Sequence, residues 1–314
     1  MRTSGMFSIK IPDGDMKKIF LILLCVLPLF GCGKMGKDGR LKQKVDWGQW
    51  YYDDESADLD KPSVMVMSFN VRYGTAVEAN ESDNWNNRRY ACCAMVNSVR
   101  PVLMGVQECM KFQRDYIVAH CPDYDVVGVS RDETVDGEQT AIFYLRDSVT
   151  VEDWGTIWLS ETPDEVSKHP WAGNYRTATW VKATHKKTGN TFYHVNTHLD
   201  LKEEVRGFEM EVIMNFIHSN CGSLPVALTA DWNTGENDDI FADMYLTFQN
   251  ARMTSVTGDA YGTVNWFQEQ SKERLDHIFY RGFPVCSKFI TVVQSWEGHK
   301  FISDHYPVYA VFIF

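Results

Sequence analysis

The segment Thr191-Phe192-Tyr193-His194-Val195-Asn196-Thr197-His198-Leu199-Asp200 decides the fold, because an apolar strand pattern runs directly into polar residues. Alternate side chains of a strand lie on one face, and here that face carries Phe192, His194, Asn196 and His198. The turn residues Lys187-Thr188-Gly189-Asn190 predict a hairpin whose first arm spans residues 176–183. The hairpin would hold His198 at the end of a well-supported strand.

Other apolar runs in the chain also stop at polar side chains. Residues 64–69 end in Asn70, and residues 102–106 lead to Gln107-Glu108. Residues 225–230 end in Asp231-Trp232-Asn233, Asp276 lies in a further run, and Asp304-His305 precedes the last one. Side chains at strand ends can converge on one rim of a sheet. A rim of carboxylates, amides and histidine would be oxygen-rich and would suit a divalent metal ion and a phosphate ester.

Strand-like and helix-like segments alternate from residue 63 to residue 314. Residues 88–99, 111–120 and 202–219 are predicted helices, and a strand is predicted near residues 140–145. Residues 307–314 are almost wholly apolar, as in a strand buried on both faces. The pattern predicts one mixed α/β layered domain with substantial antiparallel character. Burial in the core is predicted for most of an aromatic set, with pocket lining as the alternative: Trp154, Trp158, Trp171 and Tyr175.

The N-terminal segment has the features of a targeting signal. Lys17-Lys18 precede an apolar run at residues 19–30, which is too short for a stable membrane span. The following Leu29-Phe30-Gly31-Cys32 resembles the lipobox of bacterial lipoproteins, in which the cysteine is lipidated. We therefore predict a signal peptide at residues 1–31, lipidation of Cys32 and a tether at residues 32–62, with an ordinary secretory signal as the alternative. Lys34 favours a periplasm-facing lipid anchor in the cell envelope over display on the surface.

Charge and cysteine content narrow the class of protein. The 314 residues carry a net charge of −11, which becomes −13 without the four basic and two acidic residues of segment 1–31. This balance disfavours non-specific attraction to nucleic acid, although local binding of nucleic acid stays open. The chain has no Cys-x-x-Cys pair, which argues against a zinc ribbon, and its cysteine spacings indicate no particular disulfide. No feature implies a protein partner.

Together, the ordered motifs resemble the endonuclease/exonuclease/phosphatase superfamily, the DNase I-like hydrolases, over nearly all of residues 63–314. The resemblance implies a two-sheet α/β sandwich flanked by helices, a four-layer fold with the site at one edge. It also implies hydrolysis of phosphoester bonds with a divalent metal, usually Mg²⁺, with Mn²⁺ as the alternative. By the same resemblance, Glu108 is the principal metal ligand and Asn70 lies beside the metal.

The resemblance assigns roles to the histidines and to their acidic and amide neighbours. Asp231 would orient or deprotonate the attacking water and Asn233 would bind phosphoryl oxygens, although Ala230 and Trp232 depart from the family's Gly-Asp-Phe-Asn. His198, in a complete Asn-Thr-His-Leu motif, would donate to the phosphate or assist the leaving group. His305 would lie against the phosphate, oriented by Asp304, and some accounts of the family give that aspartate to the metal.

Three further positions complete the implied site. Asp276 would be a second metal ligand or a supporting carboxylate, and Arg176 would bind phosphate. Asp200 would support His198 or a neighbouring arginine. The predicted metal set is thus Asn70, Glu108, Asp276 and Asp304.

The sequence therefore predicts an exported, lipid-anchored, metal-dependent phosphoesterase. Its expected substrate is a phosphodiester or phosphomonoester, favoured as a small, lipid- or sugar-linked phosphate. Two alternatives stay open: a nuclease acting on DNA or RNA, and a surface binding protein that retains the fold without turnover.

Overall fold

The computed structural model describes residues 62–268 and 271–314. The predicted signal peptide, Cys32 and almost all of the predicted tether lie outside these residues. Among the described helices, none is long and apolar enough to cross a membrane.

The described residues form two large sheets, a two-stranded ribbon and helices. The strands are β1 (Ser63–Asn70), β2 (Leu103–Gln107), β3 (Cys109–Met110), β4 (Tyr124–Val127), β5 (Glu138–Gln139), β6 (Ile142–Leu145), β7 (Val149–Trp158), β8 (Thr177–His185), β9 (Thr191–His198), β10 (Val226–Asp231), β11 (Gln249–Asn250), β12 (Thr257–Gly258), β13 (Asp276–Arg281), β14 (Val285–Thr291) and β15 (Val308–Ile313). The α-helices are α1 (Trp85–Val99), α2 (Lys111–His120), α3 (Glu203–Asn220) and the short α4 (Ala251–Thr254). Single 3₁₀ turns occupy Glu81–Asp83, Asp239–Phe241 and Met244–Leu246.

The two large sheets face each other. The first has the strand order β12-β14-β15-β1-β2-β6-β4 and the second has the order β11-β13-β10-β9-β8-β7. Most neighbouring strands are antiparallel, but β1 pairs with β2, β9 with β10 and the short β12 with β14 in parallel. The sheets contact each other through their central strands, β1 with β10 and β2 with β9.

The burial pattern of β1 shows how the layers are built. Val64 and Val66 pack between the two sheets, whereas Met67 and Phe69 pack under α1 and α2. Both faces of the strand are therefore covered, which explains its nearly continuous apolar run. On the other side, α3 packs against the outer face of the second sheet, where Ile213 contacts the cluster that contains Leu228. The result is the predicted four-layer α/β sandwich.

The parallel pairs place four strand ends at one edge. Asn70 lies opposite Gln107 in the register of β1 and β2, and His198 lies opposite Asp231 in that of β9 and β10. Because β13 is antiparallel to β10, its first residue, Asp276, also lies opposite Asp231. The sheet architecture thus brings the polar endings of separate segments to one rim.

Most element predictions agree with the structure, but the aromatic prediction was wrong. The helix predicted at residues 111–120 has the observed bounds, and the other two differ by a few residues at their ends. The side chains of Trp154 and Trp171 are 43% and 67% exposed, and Trp158 and Tyr175 are only partly buried. Trp154 and Trp158 belong to β7, the edge strand of the second sheet. This strand is hydrogen-bonded to a neighbouring strand, β8, along only one of its two edges.

Candidate active site

An amide and two carboxylates form the centre of the rim. Asn70 Nδ2 donates to Glu108 Oε1 at 3.1 Å and to Asp231 Oδ2 at 2.8 Å. Asn70 and Asp231 are buried, and Glu108 is only partly buried. One amide thus ties the end of β1 to carboxylates from β2 and β10, so the two sheets meet at this group.

The backbone around Glu108 and Asn233 is strained. Both residues have positive φ angles, 57° for Glu108 and 52° for Asn233, a conformation that is uncommon for residues other than glycine. The Tyr73 backbone N–H donates to Glu108 Oε2 at 2.7 Å, and the Asn233 N–H donates to Asp231 Oδ1 at 3.0 Å. These bonds hold both side chains against the rim, and such strain is concentrated at functional sites.

His305 forms a pair with Asp276, and the prediction that Asp304 orients it was wrong. His305 Nδ1 lies 2.8 Å from Asp276 Oδ2, and its Nε2 lies 3.8 Å from Asp231 Oδ2. Asp304 instead pairs with Arg72, with 3.1 Å between Oδ2 and the guanidinium. Asp304 and His305 therefore face different partners although they are adjacent in the chain.

Opposing effects act on the pKa of His305. Burial alone would lower the pKa of His305, but the carboxylates of Asp276 and Asp231 outweigh it and raise that pKa well above the ordinary value. Burial also raises the pKa of Asp231 to about 7, with Asp276 adding to the shift and His305 opposing it. The ring and the two carboxylates are therefore one electrostatic unit.

His198 lies on the opposite side of Asp231. Its Nε2 is 3.0 Å from Asn233 Nδ2 and 3.5 Å from Asp231 Oδ2. Asn233 Nδ2 also donates to the Leu199 carbonyl at 2.7 Å, which identifies this atom as the amide nitrogen. His198 Nε2 therefore accepts from Asn233, and the ring proton resides on Nδ1.

The Nδ1 proton of His198 faces Glu138, a residue that the sequence did not indicate. His198 Nδ1 has no hydrogen-bond partner among the described residues, and Glu138 Oε1 lies 3.9 Å away. Arg131 pairs with the same Glu138 oxygen at 2.8 Å. Burial, with the Arg176 and Arg131 cations, holds the pKa of His198 well below its ordinary value. His198 is therefore a neutral imidazole, unlike His305.

Arg176 lies next to this histidine, at the start of the hairpin. It is buried, and its Nε has no hydrogen-bond partner in the part of the chain that the structure describes. That atom lies 3.6 Å from Asp200 Oδ2. Asp200 accepts backbone N–H bonds from Gly173, Asn174 and Lys202, so it supports the arginine and its loop rather than His198. Arg176, Arg131, Glu138 and His198 line one narrow recess.

The arrangement offers donor atoms for a metal. Two sets of side chains bring candidate ligand atoms within 4.8 Å of one another: Glu108, His198 and Asp231, and Asp231, Asp276 and His305. The carboxylate oxygens of Glu108 and Asp231, held by the Asn70 amide, fit a hard divalent cation. Of the predicted carboxylate ligands, Asp304 belongs to neither group, and it pairs with Arg72 instead.

Three residues of the site were missed by the sequence reasoning: Glu138, Arg131 and Arg72. Glu138 reaches the rim because the β3–β5 ribbon pairs it with Met110, two residues after Glu108. No apolar run ends at Glu138, and its ribbon strand has only two residues, so no periodic signal marks it. The available signal for Arg72 was its position two residues after Asn70, a predicted site residue at a strand end.

Comparison with known proteins gives matches among solved structures. No protein-family model and no curated protein matches the chain by sequence. An endonuclease/exonuclease/phosphatase from Bacteroides vulgatus is 29% identical with a TM-score of 0.74, over 80% of this chain and 99% of that one. A mannosyl-6-phosphatase from Bacteroides thetaiotaomicron is 26% identical with a TM-score of 0.74, over 80% and 100% of the two chains. D. rerio TDP2 bound to a single-strand DNA product is 16% identical with a TM-score of 0.64, over 80% and 99%, which shows a shared fold alone.

Proposed function

This chain belongs to the endonuclease/exonuclease/phosphatase superfamily, and from that membership we propose that it is a divalent-metal-dependent hydrolase of phosphoric esters. The observation that carries the proposal is the group formed by Asn70, Glu108 and Asp231, with His198 and His305 on either side of Asp231. A pure binding protein has no need of two carboxylates joined by one amide, with an imidazole on either side of Asp231.

The metal would be held by Glu108, with Asn70 beside it. When bound, a divalent cation such as Mg²⁺ supplies Lewis-acid polarisation of a phosphoryl oxygen. Asn70 keeps the carboxylates of Glu108 and Asp231 in place through two hydrogen bonds from one amide nitrogen. Tyr73 N–H fixes the second oxygen of Glu108, so the carboxylate has one orientation.

The remaining residues would activate the attacking water and bind the phosphoryl group. Asp231 orients the attacking water and accepts its proton, because it is the carboxylate that both histidines face. His305, held through Nδ1 by Asp276, presents Nε2 on the side of Asp231, where charge develops on the phosphoryl oxygens. Asn233 Nδ2 is held by His198 and the Leu199 carbonyl, and it would bind a phosphoryl oxygen by exchanging one of these two acceptors for it. Arg176 would bind phosphate from the adjoining recess.

The substrate is proposed to be a small, lipid- or sugar-linked phosphate. The mannosyl-6-phosphatase of similar fold acts on a sugar phosphate by its name, and it supports this class. The densest basic cluster, Lys182, Lys186 and Lys187, lies at the other end of the hairpin from His198. Strand β9 separates that turn from the site by about 23 Å at 3.3 Å per residue. Lys182 also pairs with Glu152. The distance of this cluster from the site and the pairing of Lys182 with Glu152 both weigh against the nuclease alternative.

Steady-state kinetics with p-nitrophenyl phosphate and bis-p-nitrophenyl phosphate tests the proposal. Wild type should turn over at least one of them with Mg²⁺, and EDTA should abolish that activity. His305→Ala and Asp231→Asn should each lower turnover by about 10²-fold or more. Substitution of the exposed His218 in α3 by alanine is the matched control and should change nothing. Wild-type turnover no faster than that of the variants would support the binding-protein alternative.

The proposed role of Glu108 as a direct metal ligand has its own test. Glu108→Gln should leave the fold intact and raise the Mg²⁺ concentration needed for half-maximal activity by about tenfold or more, because a neutral amide binds the cation less tightly. An unchanged Mg²⁺ dependence would remove Glu108 from the proposed metal site.

We also propose that the protein is exported and attached to the cell envelope through a lipid on Cys32. The support is the lipobox-like Leu29-Phe30-Gly31-Cys32 after an apolar run. Wild type should partition with membranes and Cys32→Ser should not, and equal partitioning would contradict the anchor. A periplasm-facing anchor predicts that the protein in intact cells resists added protease, and rapid shaving would indicate display on the surface.

A further inference from the structure

A polar cavity lies just beyond two of the strands that carry the site. The cavity has a volume of about 430 Å³, with residues 234–238 on one wall and Lys272 and Arg274 on the other. The first wall continues β10 after Asn233, and the second leads into β13 at Asp276. Trp232 N–H donates to the Leu275 carbonyl at 2.8 Å, so the two segments leave the sheet side by side. The cavity therefore begins next to the proposed phosphoryl site.

The lining has a composition that selects among ligands. Every lining residue is polar or glycine, with no aromatic or aliphatic side chain among them. Two cations, Lys272 and Arg274, are matched by two carboxylates, Glu236 and Asp238. A second phosphate would meet both carboxylates, and an acyl chain or a nucleobase would find no aromatic or aliphatic side chain to pack against. Hydroxyl groups, which both donate and accept, fit this mixture of charges and amide.

Part of the lining is already occupied by internal bonds, and part is free. Arg274 pairs with Glu236 at 2.6 Å, and Asp238 accepts hydrogen bonds from Thr234 Oγ1 and the Ile240 N–H. These bonds fix the positions of Arg274 and Asp238 in the lining of the cavity. The exposed side chains of Asn237 and Lys272 make no hydrogen bond or ion pair to any described residue. They are the groups available to a ligand.

We propose that this cavity binds the leaving group of the substrate and that the leaving group is a neutral polyol, a sugar. The inference rests on the proposed hydrolysis of phosphoric esters and specifies its substrate class. Asn237 and Lys272 would bind sugar hydroxyls while the phosphate lies against Asn233 and His305. The protein would therefore distinguish sugar phosphates from phospholipids and nucleotides by this cavity.

The test compares two substrates that share the reacting group. The double variant Asn237→Ala/Lys272→Ala should lower kcat/KM for a hexose 6-phosphate by about tenfold, the effect of losing one or two net hydrogen bonds. Its kcat/KM for p-nitrophenyl phosphate, which has no sugar, should stay within about twofold of wild type. Lys187→Ala, an exposed lysine at the remote hairpin turn, is the matched control. Equal losses on both substrates, or no loss on either, would overturn the inference.

A binding measurement separates this inference from the proposed reaction. Saturation-transfer NMR should detect the neutral parent hexose on His305→Ala, and the signal should disappear when Asn237→Ala/Lys272→Ala is added. This result would support the cavity even if wild type showed no turnover of any phosphate ester. Absence of hexose binding, or a higher kcat/KM for phosphatidate in mixed micelles than for hexose phosphate, would refute it.

Discussion

The buried carboxyl of Glu209 should make the stability of the protein depend on pH. Glu209 lies on α3 with no exposed surface, and its Oε2 accepts the Asp200 N–H at 2.8 Å. Within residues 62–268 and 271–314, its Oε1 has no hydrogen-bond partner. Burial is the main cause that raises its pKa from 4.5 to about 7, although the Asp200 N–H and Arg176 act in the opposite direction. The folded protein therefore keeps this group neutral up to about pH 7.

The magnitude follows from the shift in pKa. Each unit corresponds to about 1.36 kcal/mol, so the shift amounts to about 3 kcal/mol. Because the folded pKa is raised, this stabilisation is fully present below pH 4.5 and is lost as pH rises through about 7. Glu209→Gln mimics the neutral acid and does not titrate. Relative to wild type, it should gain about 3 kcal/mol between about pH 4.5 and pH 8.

Urea unfolding followed by tryptophan fluorescence at a series of pH values measures this difference, because all other titrating groups are common to both proteins. Glu211→Gln, on the exposed side of the same helix, is the matched control, and its stability relative to wild type should not change with pH. A constant difference between Glu209→Gln and wild type from about pH 5 to pH 8 would refute the reasoning.

The remaining predictions concern the site and the core. Asp276→Asn should lower kcat by about 10²- to 10⁴-fold with little change in KM, because an amide no longer holds His305 as a carboxylate does. An unchanged circular dichroism spectrum would exclude unfolding of the variant. An unchanged kcat would remove the Asp276–His305 pair from the mechanism. Gly105→Ala should lower the free energy of unfolding by about 1–3 kcal/mol, because the added Cβ would lie 2.3 Å from Asn196 Oδ1 between the sheets. Gly207→Ala, where no described residue lies within 4 Å of the added Cβ in α3, should instead raise it by about 0.5–1 kcal/mol. Chemical denaturation checks both glycine variants, and the same sign for the two would contradict the packing argument.

The sequence by itself predicted the layers and the rim of the fold. Strands buried on both faces need continuous apolar runs, so the first residue that breaks such a run marks where the strand leaves the core. Asn70 and Asp231 were found in this way, and the structure places both at the same edge. Helix α2 was also predicted with its observed bounds, because its apolar spacing is local.

The pairing of functional groups was decided only by tertiary structure. The family resemblance implied that Asp304 orients His305, but the register of β13 brings Asp276 to that ring from 29 positions away. Glu138 comes to face His198 through a two-stranded ribbon that has no periodic signal. A strand end is a local property of the chain, whereas the partner of a side chain depends on strand register and on how the two sheets pack. Hence the sequence identified the residues of the rim, and only the folded chain determined which of them act together.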